Sequence, residues 1–338
     1  MKKIVRTLCL VAMVALVATS CKKKEENANV TVDFEETTGF EVGPSIDGSR
    51  AWIDVNNGSV FKWNEHDQIA FYNLSSDPTR STCTVLDAVE GSEGKVKTQF
   101  TGPSVGSVQE KGYFVFFHPE KAAAAQGNPL GAGNRESFTV SANQDYNPAY
   151  MIDPKSLVMA CKAPNVGVFT LQHIFGFLNI GIYNGTSDMV VDYITVEDKV
   201  NNLAGNVNLK LDEVDPDELK SMIDHLAQYG EDATYQAALA DYVLGTLGYN
   251  ASNQSKTITL NCGGTSGTLN KNGYTYFFVS LRPGALRNSF TVTIHYKNGT
   301  SYSHDFNTPL EYTIKPGNFR NIYAVSDGRW YINGQWKY

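Results

Sequence analysis

Few residue patterns in this chain of 338 residues could support catalysis. The stretch Gly102-Pro103-Ser104-Val105-Gly106 has the G-x-S-x-G spacing of a nucleophile elbow, which needs a strand before it and a helix after it. Strand-forming residues follow instead, so the segment is predicted to be a turn. A pair of glycosidase carboxylates can lie anywhere in a sequence, and nothing here singles one out. No catalytic residue is therefore assigned, and we do not expect an enzyme.

The histidines and cysteines also lack the spacing of metal ligands. Beyond the N-terminal segment the cysteines are Cys83, Cys161 and Cys262, which are far apart and odd in number. We therefore expect buried thiols rather than a disulfide framework. The acidic residues within 212–218 lack the glycine and the terminal glutamate of an EF-hand loop. The sequence predicts neither a metal nor a cofactor.

One cysteine, Cys21, does carry chemistry, because it follows an export signal. The basic residues 1–6 precede an apolar run, 8–19, that is too short to cross a hydrocarbon core of about 30 Å as a helix. The small residues before Cys21 resemble a lipobox, which implies cleavage before Cys21 and acylation, for example by palmitate, of that residue. Stable anchoring needs more than one acyl chain. The alternative is a cut nearby with Cys21 as a bystander.

The residues after the cysteine indicate a location and exclude one class of partner. Lys24-Glu25-Glu26 resembles the surface-export signal of Bacteroidetes lipoproteins, which implies the outer face of the outer membrane. The formal net charge is −7, and no basic stretch follows residues 22–24. Nucleic acid is therefore not an expected partner.

Short strands are the elements that position the rest of the chain. Aromatic residues make up 12% of the sequence, and Tyr, Phe, Val and Thr dominate many segments, as is typical of β structure. Val30, Val32 and Phe34 alternate with polar residues and predict a first strand. Further strands, most of them separated by turn signals, are predicted at 51–55, within 61–72, and at 82–89, 95–100, 112–118, 137–141, 168–171, 175–183, 190–196, 203–211, 256–262, 274–281, 290–296 and 301–306.

The pattern of turns and helices divides the chain. Asp215-Pro216 supplies an N-cap and a first-turn proline for a helix, and a second helical pattern follows, which gives a helical insertion at 215–245. Asn298-Gly299 predicts a type I′ hairpin turn. In chain order, the sequence predicts a signal peptide at 1–20, a tether and first strand at 21–50 as a candidate propeptide, an N-terminal β-sandwich at 51–163 and a C-terminal β-sandwich at 164–338.

Several segments together resemble the fimbrillin family, the major and accessory pilin lipoproteins of Bacteroidetes. Trp63, Asp67, Ile69 and Tyr72 match the family's W-x-x-x-D-x-I-x-x-Y pattern. The remaining similar segments are the lipobox, an early strand followed by a loop with Arg50, the aromatic strand 112–119, the segment 169–180 with its L-x-H pattern, and Ile314-Lys315-Pro316-Gly317-Asn318.

This resemblance implies a mostly β fold of two tandem transthyretin-like (Ig-like) β-sandwiches that assemble with other pilin subunits. It implies that an arginine-specific protease cuts between Arg50 and Ala51, and that a donor strand from a neighbouring subunit replaces the first strand. The candidate donor contains Trp330, Ile332 and Trp336. Two alternatives stay open: Arg80 and Arg135 also lie in predicted loops, and the C-terminal segment could form a hairpin on its own domain around Asn333-Gly334.

The leading functional hypothesis is a structural subunit of a cell-surface pilus, acting as shaft, anchor or tip in adhesion to host or bacterial surface ligands. The alternative is a surface glycan-binding lipoprotein. It is motivated by aromatic side chains that could stack on sugars if exposed, namely Trp52, Trp63, Trp330, Trp336 and many tyrosines. The two hypotheses differ in whether these rings are exposed to solvent or buried in the core.

Overall fold

The computed structural model describes a chain built almost entirely of strands. The described residues are 28–34, 52–54, 60–95, 97–105, 111–131, 134–163, 168–185, 187–211, 246–249, 254–286, 289–307, 314, 316–317, 319–332 and 335–337. Cys21, Arg50, Ala51 and the predicted helical insertion lie outside them. The prediction of a mostly β fold of several sheets is confirmed.

The strands are numbered in chain order. They are β1 Ala28–Phe34, β2 Trp52–Asp54, β3 Val60–Lys62, β4 Gln68–Asn73, β5 Cys83–Ala88, β6 Thr98–Gly102, β7 Tyr113–Phe117, β8 Arg135–Val140, β9 Asn143–Asp145, β10 Met159–Ala163, β11 Val168–His173, β12 Gly176–Asn184, β13 Val191–Asp198, β14 Gly205–Lys210, β15 Thr246–Tyr249, β16 Thr257–Asn261, β17 Gly273–Leu281, β18 Phe290–Tyr296, β19 Ser301–Phe306, β20 Phe319–Val325, β21 Trp330–Ile332 and β22 Gln335–Lys337.

The helices in the described part of the chain are short. The α-helix α1 covers Lys121–Ala124, and 3-10 helices cover Pro78–Arg80 and Pro154–Ser156. Asp153 caps the second 3-10 helix, since its Oδ1 accepts a hydrogen bond from the Lys155 N–H at 3.0 Å. Within the described residues, no helix is long and apolar enough to cross a bilayer.

Seven strands of the first half pair in a closed ring, in the order β1-β11-β10-β7-β4-β5-β6. Every residue of β7 is buried, because one face of the strand lines the ring interior and the other packs beneath neighbouring elements. Such a strand has no solvent-facing side and therefore needs no polar alternation. This explains the continuous apolar sequence of Tyr113–Phe117.

Two five-stranded sheets face each other in the second half, in the orders β17-β12-β20-β21-β22 and β19-β18-β13-β16-β9. Leu178, Ile180 and Ile182 of β12 are fully buried in the core, as are Ile194 and Val196 of β13. The period of two in β13 is the pattern of a strand with one face in a core, whereas β12 is buried at nearly every position because its other face is also partly covered. A sandwich is the result.

Strands of the two predicted domains share sheets. β8 pairs with β14, and β9 pairs in parallel with β16, so 135–145 joins the second half of the chain. Conversely, β11 pairs with β1 and β10 in the ring. The predicted boundary follows directly on β10, which pairs with β7 and β11 in the ring. The exact boundary between 163 and 164 therefore stays a prediction.

The hairpin between β18 and β19 forms, but its turn differs from the predicted type I′. Gly299 adopts a φ of +86°, whereas Asn298 is not left-handed, and type I′ requires both. The Tyr296 N–H donates to the Thr300 carbonyl at 2.9 Å, and the Gly299 N–H donates to the Tyr296 carbonyl at 2.9 Å. These bonds define a three-residue loop with a left-handed glycine, so the type I′ prediction is wrong.

Candidate assembly site

The strand β1 occupies a position that we call the β1 slot, between β6 and β11. It runs antiparallel to β6, with Ala28 opposite Gly102 and Val32 opposite Thr98. It runs parallel to β11, with Thr31 opposite Val168 and Phe34 opposite Leu171. Because β6 otherwise pairs with β5 and β11 otherwise pairs with β10, β1 closes the ring.

The register of β1 matches its apolar alternation to buried residues of its neighbours. Position 30 lies opposite Phe100, position 32 opposite Phe169 and position 34 opposite Leu171. These three partner side chains are at most 1% exposed. The alternating apolar positions predicted from the sequence are therefore the ones in register with the buried lining of the slot.

Aromatic side chains support that lining from within the ring. The Trp63 ring lies 4.9 Å from the Phe100 ring and 5.4 Å from the Phe117 ring, both edge to face. Phe71 lies 5.4 Å from Phe169, also edge to face. Such pairs fix ring orientations beyond the effect of burial alone. The slot is therefore lined by a tightly packed aromatic surface.

Trp63 belongs to the W-x-x-x-D-x-I-x-x-Y segment, and the structure shows what this segment does. Its Asp67 carboxylate accepts a hydrogen bond from the Asn64 N–H at 2.8 Å, which closes the turn before β4. Ile69 then points into the ring, and Tyr72 into the core shared with the second half. The motif builds the lining of the slot and carries no reactive group.

The C-terminal segment folds on its own sheet in this structure. β21 pairs with β20 through Tyr331 opposite Tyr323, and β22 turns back on β21. Trp330 is 1% exposed and lies 5.8 Å from both the His304 and the Phe306 rings. The hairpin alternative describes this state of the chain. The side chains of Ile332 and Trp336 lie outside the described residues.

The arginines that compete with Arg50 as cleavage sites are accessible. Arg80 is exposed at the end of a 3-10 helix, and Arg135 is exposed at the start of β8. Arg135 pairs with Lys210 in a sheet, so its strand would have to leave that sheet before its backbone could enter a protease active site. Arg80 therefore offers a matched comparison for Arg50 in a cleavage experiment.

The three buried cysteines of the described residues are held in their neutral forms. Burial raises the pKa of the Cys83 thiol to about 11 and that of the Cys262 thiol to about 12, and it also raises the pKa of Cys161. The predicted burial of these cysteines is confirmed. Since the thiolate is the reactive form, none of the three is a nucleophile at neutral pH. The described residues contain no cluster of three or more metal-ligating side chains.

Sequence reasoning missed one wall of the β1 slot. It assigned 168–171 to the second domain, whereas β11 pairs in parallel with β1, more than 130 positions earlier in the chain. Parallel partners are not joined by a tight turn, so they leave no local signature.

Comparisons with known proteins give low similarity throughout. No protein-family model and no curated protein sequence matches the chain. A solved structure of a candidate cell adhesion protein from Bacteroides ovatus has a TM-score of 0.49 at 10% identity, covering 93% of this chain and 95% of that one. A candidate cell adhesion protein from Bacteroides fragilis has a TM-score of 0.39 at 12% identity, covering 91% and 97%. A candidate adhesin from Bacteroides ovatus has a TM-score of 0.27 at 8% identity, covering 86% and 87%. These values carry no argument about the function of this chain.

Proposed function

We propose that this chain is a structural, non-enzymatic subunit of a cell-surface pilus that assembles by exchange of the strand in the β1 slot. The observation that carries the proposal is the position of β1, an N-terminal strand that alone joins β6 to β11 in the ring. The chain between β1 and β2 contains Arg50. A single cut there separates β1 from everything that follows it.

Loss of β1 would have two physical consequences. The backbone N–H and C=O groups of β6 and β11 that pair with β1 would lose their partners, and Phe100 and Phe169 would lose their cover. Open edges of this kind pair readily with an added strand. An extended apolar segment from a second subunit would restore both the ladder and the burial.

The donor in this proposal is the C-terminal segment 330–338. It is long enough to replace the seven residues of β1. It must first leave β20, and the packing of Trp330 between His304 and Phe306 opposes that step. Exchange is therefore favoured only when the slot of a neighbour is open, which links polymer growth to proteolysis.

The lipid on Cys21 completes the proposal. An uncut chain keeps both its acyl anchor and β1, and acts as an outer-membrane anchor; a cut chain begins at Ala51 and acts as a shaft subunit. Two of the four tryptophans that motivated the glycan-binding alternative, Trp63 and Trp330, are buried and therefore cannot stack on a sugar.

The test compares Arg50→Ala with Arg80→Ala. Wild-type protein in its native outer membrane is treated with a trypsin-like arginine protease, and its N-terminus, intact mass and boiling-resistant ladders are measured. We expect a new N-terminus at Ala51 with ladders in wild type and Arg80→Ala, and neither in Arg50→Ala. A chain that is cut at Ala51 yet stays monomeric would disprove strand exchange.

A further inference from the structure

Five tyrosines cover one end of the outer face of the sheet β17-β12-β20-β21. Tyr183 lies opposite Tyr274, Gly181 lies between Tyr276 and Tyr323, and Tyr323 lies opposite Tyr331. Directly paired residues in neighbouring strands face the same side of a sheet. We call the set Tyr183, Tyr274, Tyr276, Tyr323 and Tyr331 the tyrosine patch.

The rings of the patch contact one another. Tyr274 stacks on Tyr276 with ring centroids 6.0 Å apart and an interplanar angle of 18°. Tyr183 meets Tyr274 edge to face at 5.4 Å, and Tyr323 meets Tyr274 at 5.8 Å. Ring-to-ring packing restricts side-chain rotation, so the patch is ordered before any ligand arrives.

Gly181 makes this close approach of the tyrosine rings possible. A Cβ at this position would lie 2.8 Å from Cδ1 of Tyr323 and 3.1 Å from Cε1 of Tyr276. The two rings therefore lie over the glycine backbone, where any other residue would displace them. Gly181 needs no left-handed conformation, so the contact with the rings is what favours glycine here.

The patch is accessible at its outer end and closed at its inner end. Tyr331 is 42% exposed, and it is one of two large hydrophobic residues exposed in the described part of the chain. At the inner end the Asn179 amide donates to Oδ1 of Asn321 at 2.9 Å. Beyond that pair, Phe177 and Phe319 stack at 5.0 Å against the ring of the first half.

The chemistry of the patch is both apolar and rich in hydroxyl groups. Burial raises the pKa of Tyr274, and the neighbouring hydroxyls of Tyr323, Tyr183 and Tyr331 raise it further, so the Tyr274 phenol is neutral at pH 7. Each tyrosine of the patch contributes a ring surface and a group that both donates and accepts hydrogen bonds.

These properties decide between a protein and a sugar as occupant. A stable protein interface takes roughly 20–30 residues on each side, far more than five mostly half-buried tyrosines provide. A sugar unit is smaller: its C–H groups pack on an aromatic ring, while its hydroxyls hydrogen-bond to phenols. A patch without charge matches a ligand without charge.

We propose that the tyrosine patch is a binding site for a neutral glycan chain, with Tyr331 and Tyr274 as stacking residues and Gly181 as the residue that leaves room for the Tyr276 and Tyr323 rings. This inference goes beyond the assembly role proposed above and does not depend on it. The site lies on a different sheet from the β1 slot, so an uncut monomer would bind, whereas a subunit that has donated residues 330–338 would lose Tyr331 from the patch.

The test uses the full chain in detergent, without protease, in native affinity gels that contain mannan, xylan or soluble starch. Tyr331→Ala removes the exposed ring, and Gly181→Val displaces two rings while keeping every hydroxyl. Tyr193→Ala is the matched control, since this half-buried tyrosine stacks on His295 at 4.1 Å on the other sheet. Circular dichroism melting verifies that each variant is folded.

We expect at least one of the three polymers to retard the wild-type chain, with affinity reduced about tenfold or more by Tyr331→Ala and Gly181→Val and less than about twofold by Tyr193→Ala. No retardation by any of the three overturns the proposal, and so does an equal loss in Tyr193→Ala. Concentration-dependent dimers in sedimentation that Tyr331→Ala abolishes would overturn it in favour of a self-contact.

Discussion

Gln144 and Ser280 hold each other through two hydrogen bonds across 136 positions of the chain. Nε2 of Gln144 donates to the Ser280 carbonyl at 2.8 Å, and the Ser280 N–H donates to Oε1 of Gln144 at 2.9 Å. The Gln144 side-chain amide thus pairs with the backbone of Ser280, at the edge of β17, as a residue of a neighbouring strand would. Nearby, the Phe278 N–H donates to the Met151 carbonyl at 2.9 Å. The first half of the chain covers this edge.

We expect Gln144→Ala to lower the free energy of unfolding by about 2–4 kcal/mol. The substitution leaves a buried N–H and a buried carbonyl of Ser280 without partners, and each costs about 1–3 kcal/mol. Urea denaturation measures the change. Asn143→Ala, at an exposed position of the same strand, is the control and should shift the midpoint little. Equal effects of the two variants would contradict a stabilising role of the Gln144–Ser280 hydrogen bonds.

We expect stability to fall when the pH drops below about 6.5, partly through His118. Burial, and then the nearby Lys121, lowers the pKa of His118 to about 4. Its Nδ1 accepts a hydrogen bond from the Lys121 N–H at 3.1 Å, which requires the unprotonated nitrogen. Because the unfolded chain binds this proton more tightly, stability is retained above the unfolded pKa of about 6.5 and lost as the pH approaches 4.

Urea midpoints between pH 7 and pH 4 measure this loss. His118→Asn keeps an acceptor oxygen without a titrating ring, so its midpoint should fall less steeply than that of wild type. A smaller slope should remain, because burial also lowers the pKa of His173 to about 3. Parallel curves for His118→Asn and wild type would exclude His118 as a contributor.

We expect Trp330→Ala to cost about 3–5 kcal/mol of stability and to accelerate ladder formation after cleavage. The indole is buried against His304 and Phe306, and truncating a buried aromatic residue loses both transfer free energy and packing. The same change releases the C-terminal segment as a donor. Tyr331→Ala, one residue away and exposed, should cost less than about 1 kcal/mol. Slower ladders in Trp330→Ala would instead assign Trp330 to the donor contact itself.

We expect Gly267→Ala to destabilise the chain by more than about 2 kcal/mol. A Cβ at Gly267 would lie 2.0 Å from the Val191 carbonyl oxygen, and a backbone atom cannot move aside as a side chain can. Gly263→Ala in the same turn meets nothing within 4 Å and is the control. Thermal melting of the two variants gives the comparison, and a tolerated Gly267→Ala would show that the turn can shift.

The sequence by itself determined most of the elements. Apolar alternation located β1 at Val30, Val32 and Phe34, and hairpin partners close in sequence, such as β18 and β19, were predicted because a turn leaves local signals. Acylation of Cys21 lies outside the described residues and stays a prediction. The helical insertion and the processing site lie outside the described residues and stay predictions.

Only the tertiary structure decided which distant strands meet. β1 with β11, β12 with β20, and β9 with β16 are parallel pairs between segments far apart in sequence. No turn links such partners, so their register is selected by burial on both sides rather than by neighbouring residues. The β1 slot, the Gln144–Ser280 hydrogen bonds and the tyrosine patch all depend on these pairings. The residues of these three features could therefore be identified in the sequence, but their contacts could not be predicted from it.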